Sequence, residues 1–280
     1  KNFLLHISQP EIDTNHDGQI QVSEAHAVTL ISFHSNLYDI TDIADVTGIE
    51  HFINLTYFDC YGNQLTHLDV TSLTHLEFLN CSANQLTSLN FAGLPELTIL
   101  WCGNNQLTSI DVSSLPVLEQ VDCDHNLLTS LAVHNPTVRA IFCQNNQLTN
   151  IDISGLSNLV QVDFSNNLLT GLDLTGISSL VQMECYHNLF AALDFSDQSA
   201  LQYLYCNDNQ LTSLNLNGAS QLIEVDCSNN LLPSINHSGL PVLKTLKCEH
   251  NALQGLNLSG LTALDTLFCG HNALTALDFS

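Results

Sequence analysis

Positive charge is the scarcest thing in this chain. Only 4 Lys and Arg stand against 28 Asp and Glu among 280 residues, a formal net charge of −24. Such a surface repels polyanions, which excludes nucleic acid and anionic membranes as partners. Long apolar runs are also missing, so membrane insertion is not expected, although 45% of residues are hydrophobic and supply a core. No nucleophile motif, phosphate-cradling glycine loop or redox cysteine pair occurs, which argues against an enzyme. The chain opens on Lys1 rather than Met and shows no signal-peptide pattern, so it reads as a mature secreted product or an excised segment.

Cysteine, by contrast, is plentiful and evenly spaced: Cys60, Cys81, Cys102, Cys123, Cys143, Cys185, Cys206, Cys227, Cys248 and Cys269. The steps are 21 residues, with one of 20 and one of 42, and Phe164 fills the middle of the long one. Eleven rungs of one repeat are therefore present, and a fixed period of this length means a solenoid. Length alone would allow two globular domains, but repetition overrides that prior. Because the cysteine spacing equals the repeat spacing, the thiols stack in a column, one per rung. Stacked strands hold equivalent side chains about 4.8 Å apart, whereas a disulfide needs Cβ atoms roughly 3.5–4.5 Å apart and suitably angled. The thiols are expected free, as small hydrophobes, and a phenylalanine in one slot fits packing better than chemistry.

Other slots repeat as strictly. Three residues after the cysteine position stands Asn in all eleven rungs, from Asn63 to Asn272. The positions five and two before, and five and eight after, are apolar throughout. The consensus is L-x-x-L-x-C-x-x-N-x-L-T-x-L-D-V-S. The x-L-x-C stretch alternates and predicts a short strand. The asparagine ends it and is expected to hydrogen-bond one rung to the next. The L-x-L-D-V/L-S return alternates too, which predicts extended back segments instead of a helix and hence gentle curvature. A lost residue and Pro136 between His134 and Arg139 predict a local irregularity on the back.

Residues 1–30 differ. Phe3–Leu5 and Ala25–Ile31 read as short helices flanking D-x-N-x-D-G-x-I-x-x-x-E, a loop of the EF-hand kind. Asp13, Asn15, Asp17 and Glu24 fall at ligand positions one, three, five and twelve, with Gln19 offering its carbonyl and Gln21 acting through water. One structural calcium ion is expected, pinning a helical cap over the first rung. Residues 31–54 read as a degenerate first rung and 55–280 as eleven rungs, the last incomplete. Since the chain stops inside a rung, the natural protein is expected to continue.

The repeat over about 55–280 resembles bacterial leucine-rich-repeat proteins of the internalin kind, in particular the cysteine-ladder subset with 21-residue repeats. The resemblance implies an α/β, mostly β, right-handed leucine-rich-repeat solenoid with a concave parallel sheet. It also implies a secreted or surface-displayed protein that binds other surfaces through that sheet. The EF-hand-like start departs from the internalin cap.

Positions three before, one before and one after the cysteine face solvent on that sheet, and they collect aromatics. Tyr57, Tyr61, Phe78, Ile99 and Trp101 form one cluster; Tyr186, Tyr203 and Tyr205 form another; Phe142 and Phe268 join them. Asp122, Asp124, Asp163, Glu184, Glu224, Asp226 and Glu249 lie between and beyond. Grouped exposed aromatics mark a contact site for a protein or, alternatively, for stacked sugars; a mere spacer is the third reading. The chain is expected to be a monomer. Asp163 and Glu184 could sit about 5 Å apart, as in retaining glycosidases, but an open sheet is expected to raise neither pKa by burial. His250 and His271 neighbour each other without an evident third metal ligand.

Overall fold

Twenty-one-residue periodicity is realised as a stack of short parallel strands. The computed structural model describes residues 12–35, 38–39, 42–237 and 239–278. Two compact units divide the chain, Lys1–Val138 and Arg139–Ser280.

In the first unit the main-sheet strands are Leu30–Ser32, Tyr57–Asp59, Phe78–Asn80, Ile99–Trp101 and Gln120–Asp122. They pair in parallel with Tyr57 beside Phe78, Phe78 beside Ile99 and Ile99 beside Gln120. In the second unit the strands Ala140–Phe142, Gln161–Asp163, Gln182–Glu184, Tyr203–Tyr205, Glu224–Asp226, Thr245–Lys247 and Thr266–Phe268 pair the same way. Every strand but Thr266–Phe268 buries its central residue, and the flanking residues point the other way, as a period of two demands, with Asp59 and Asn80 nonetheless covered. Leu55, Phe58, Cys60 and Leu65 are wholly buried, and so are their counterparts Leu76, Leu79, Cys81 and Leu86. Each such leucine contributes about 1.5–3 kcal/mol of burial. Phe164 is wholly buried in the cysteine slot.

The asparagines tie the rungs together. Asn84 donates from Nδ2 to the carbonyls of Cys60 (3.0 Å), Cys81 (3.1 Å) and Ser82 (3.2 Å), and its Oδ1 accepts from Leu65 N at 2.9 Å. The same set recurs at Asn105 and Asn126 in the first unit. It recurs again at Asn167, Asn188, Asn209, Asn230, Asn251 and Asn272 in the second. In each set the bond to the preceding rung's cysteine-slot carbonyl and the bond from its backbone N–H cross between rungs, as the sequence predicts, while the other two stay within the rung.

One residue earlier the backbone is left-handed in every rung. Gly62, Ala83, Asn104, His125, Asn145, Asn166, His187, Asp208, Asn229, His250 and His271 all have positive φ. Gly, Asn, Asp and His tolerate this region better than other residues. Ala83, with φ of 54°, is the outlier in chemistry. Ala83→Gly is expected to raise stability by about 1 kcal/mol; a urea midpoint at or below that of the wild type would refute the strain.

The return segments are extended, as expected. Ser109–Asp111 pairs in parallel with Ser130–Ala132, Ala192–Asp194 with Ser213–Asn215, and Gly255–Asn257 with Ala276–Asp278. Asp69, Asp111, Asp152, Asp173 and Asp194 cap them by accepting the backbone N–H two residues on. At the shortened rung, buried Asn135 donates to the carbonyls of Val112 and Leu115, a polar patch where a residue is missing.

The amino-terminal reading needs one correction. The helix after the acidic loop is a single turn, Val22–Ala25, and Leu30–Ser32 is a strand. It opens the main sheet, with Leu30 beside Tyr57 and Phe33 N donating to Asp59 O at 2.8 Å. Ile31 and Phe33 are buried while Leu30 is exposed and Ser32 half-exposed, a strand alternation that sheet pairing selects over helix. The expected helix at Phe3–Leu5 lies outside the described residues. Among the described residues no helix is long and apolar enough to cross a membrane.

Candidate functional site

The outward residues of the main sheet form the candidate surface, and within each unit the sequence-predicted aromatics come together. In the first unit the register sets Tyr57 beside Phe78 and Asn80 beside Trp101. The Tyr57 and Phe78 rings stack at 4.3 Å with an interplanar angle of 4°. Phe78 meets Trp101 edge-on at 5.1 Å and 78°. Tyr61 stands clear at 42% exposure. The Trp101 indole N–H is buried and finds no acceptor, so this residue presents its ring and not its nitrogen. Burial, then the nearby Asp59 charge, pushes the Tyr57 phenol above its ordinary pKa.

In the second unit Tyr203 and Tyr205 flank buried Leu204, and Glu184 pairs with Tyr205 across the ladder. Tyr186 lies edge-on to His187 at 5.6 Å. Gln182, Glu184, Tyr186, His187, Tyr205 and Asn207 line a depression of about 420 Å³. Phe142 is half-buried on its own rung, and Phe268 is 45% exposed.

Acidic residues on this face have two kinds of duty. Asp59, Asp163 and Asp226 accept the N–H two residues ahead, at 3.1, 2.9 and 3.1 Å, and so fasten the strand to its turn. Glu184 does not. It takes one bond from Gln182 Nε2 at 2.8 Å. Its carboxyl is held above the ordinary range, first by burial and then by the neighbouring Asp163 charge. That corrects the expectation that the open sheet would raise neither carboxyl: the tyrosine-lined depression shields Glu184 from water. Lys247, the one cation in these outward columns, sits 2.9 Å from Glu224 and 3.7 Å from Asp226. Sequence reading missed this ion pair, although a lone Lys one residue before Cys248 was its signal.

His250 and His271 stack at 4.1 Å on left-handed turn residues. Among the described residues, no group of three or more His, Cys, Asp or Glu side chains is gathered to hold a metal ion. The acidic loop is nonetheless closed. Asp13 accepts from Gly18 N (2.9 Å) and Asp17 N (3.2 Å), while Glu24 accepts from Thr14 N (2.8 Å), Thr14 Oγ1 (2.9 Å) and Gln21 N (2.9 Å). Asn15 Oδ1 takes Asp17 N at 2.9 Å, and Asp17 Oδ1 takes Gln19 N at 2.9 Å. The Gln21 amide, ahead of Thr14 and Asn15, holds the Glu24 carboxyl below its ordinary pKa.

Comparison with known proteins fits this geometry. Residues 95–135 match the Leucine Rich repeats (2 copies) family. The functional domain of InlJ from Listeria monocytogenes, which includes a cysteine ladder, is 33% identical, with a TM-score of 0.85 over 92% of this chain and 57% of that one. The chain has the leucine-rich-repeat fold. It spans little more than half the length of that InlJ domain. The internalin InlF from the same species is 19% identical, with a TM-score of 0.64 over 96% of this chain and 92% of that one. A plant peptide hormone receptor, RGFR1 in complex with RGF2, is 22% identical, with a TM-score of 0.71 over 88% of this chain and 44% of that one. No curated protein sequence matches.

Proposed function

We propose that this chain is a non-enzymatic recognition module, secreted or displayed on a bacterial surface, that binds a protein partner through the outward face of its parallel sheet. The observation that carries this reading is the Tyr57–Phe78–Trp101 ring assembly, half-exposed where a soluble surface gains nothing from it. The solved receptor complex, on the same fold, is the precedent for a bound polypeptide. Truncating a central aromatic in an interface costs about 2 kcal/mol or more. Trp101→Ala and Tyr205→Ala are therefore each expected to weaken partner capture at least about thirtyfold, while circular dichroism stays unchanged. Full affinity in both variants would remove this face. Flat exposed rings also favour a second reading, sugar stacking, which a glycan array separates from the first.

Calcium belongs to the same proposal. Asp13, Asn15, Asp17, the Gln19 carbonyl and Glu24 offer the all-oxygen donor set a hard cation takes. Holding it requires Glu24 to exchange its bonds to Thr14 for the ion. The loop then clamps the turn preceding the Leu30–Ser32 strand. Calcium at about a hundred times its Kd is expected to add about 2.7 kcal/mol. A chelator lowers Tm correspondingly, and Glu24→Gln abolishes the difference. An unchanged Tm with and without chelator would defeat the clamp.

A further inference from the structure

The face of the second unit carries more than aromatic area. Its depression sets Glu184 beside Tyr186 and Tyr205. Only one of the Glu184 oxygens takes a hydrogen bond among the described residues, from Gln182. Directly across the ladder from Glu184 stands Asp163, so two like charges occupy neighbouring rungs of one column. Cations are scarce in the chain, four Lys and Arg in all. Where it does supply one, at Lys247, the ammonium settles against two outward acids of the preceding rung. That pair shows what chemistry these columns accept.

We propose that the depression beside Glu184 seats an arginine side chain from a basic, extended segment of the partner protein. Arginine fits better than lysine for two reasons. Its planar fork can take the unused Glu184 oxygen, and its flat face can lie against Tyr186 or Tyr205. A bare metal ion does not fit, because no three carboxylate, His or Cys groups converge there. A neutral sugar would use the rings but leave the carboxylate charge of Glu184 without a cation.

This inference rests on the reading of the sheet as the binding face, and the test must separate the two. A random linear peptide library, unbiased in composition, is selected on the wild-type chain. The recovered peptides are then assayed on Tyr205→Ala, Trp101→Ala, Glu184→Gln and Asp173→Asn. The last removes one charge from an exposed return segment while keeping its cap. The expected peptides are rich in Arg, lose about tenfold in affinity with Glu184→Gln and less than about twofold with Asp173→Asn, and weaken as salt rises. Peptides that depend on Tyr205 or Trp101 but carry no excess of Arg would overturn the arginine seat and leave the binding face standing. So would equal losses from Glu184→Gln and Asp173→Asn. Peptides indifferent to all four substitutions, or none recovered, would overturn both.

Discussion

Asn105→Ala is expected to destabilise the first unit by about 2–3 kcal/mol, more than most surface-loop substitutions could. The side chain is only 8% exposed. Its Nδ2 serves the carbonyls of Cys81, Cys102 and Gly103 at 3.0, 3.1 and 3.2 Å, and its Oδ1 holds Leu86 N at 2.9 Å. Alanine leaves the Leu86 amide in an apolar interior with neither partner nor water, at about 1–3 kcal/mol, while the three carbonyls keep their other donors, Asn84 Nδ2, Asn126 Nδ2 and Ala83 N, and lose only the second bond. Asn272→Ala is the internal control. Its bond to Gly270 O is exposed, so water can replace part of what is lost, and a cost of about 1 kcal/mol is expected. Urea unfolding of the two variants makes the comparison. Because repeats couple chiefly to their neighbours, hydrogen exchange should rise first around rungs Cys81 and Cys102. Equal and small losses in both variants would mean that the asparagine column is ornament.

Much of this was legible because a solenoid converts sequence period into spatial column. The cysteine, asparagine and leucine slots needed only counting, and Tyr57, Phe78 and Trp101 could be placed side by side from their offsets alone. Features that depend on one rung's departure from the pattern were harder. The left-handed turn residue was missed because its slot varies; its signal is chemical class, Gly, Asn, Asp or His in ten rungs of eleven, and not identity. Leu30 and Ile31 read from sequence as the end of a helix because they precede the regular spacing, and their partner strand Tyr57–Asp59 lies 27 residues away. Local propensity cannot see such a pairing. The shielding of Glu184 came from side chains two rungs wide, namely Gln182, Tyr186 and Tyr205, whose combined bulk no single position announces. Duties of Asp59, Asp163 and Asp226 were half seen: outward placement followed from alternation, but the bond to the next turn did not.

In the folded 280-residue chain, one thiol in ten should react with a water-soluble thiol reagent, and the remaining nine should wait for unfolding. Nine cysteines are buried and free, and Cys269 alone is partly exposed. Burial raises the buried thiols: Cys81 and Cys248 are pushed up to about 12, and Cys60, Cys102, Cys123, Cys206 and Cys227 well above their ordinary value. The thiolate is the nucleophile, so at pH 8 a pKa of about 12 leaves on the order of one molecule in ten thousand reactive even if the reagent could enter. Access is closed as well, since Cys60 through Cys227 show no exposure. Labelling should give a fast phase of one equivalent, then a slow phase of nine whose rate follows urea concentration as rungs open. Cys269→Ser should erase the fast phase and nothing else. Reductant should leave Tm unchanged, because no cross-link exists to break. A fast phase of several equivalents, or a mass lowered by paired hydrogens under non-reducing conditions, would show that the column is chemically active instead of packed. The Phe164 slot would then have lost a function and not merely exchanged one apolar side chain for another.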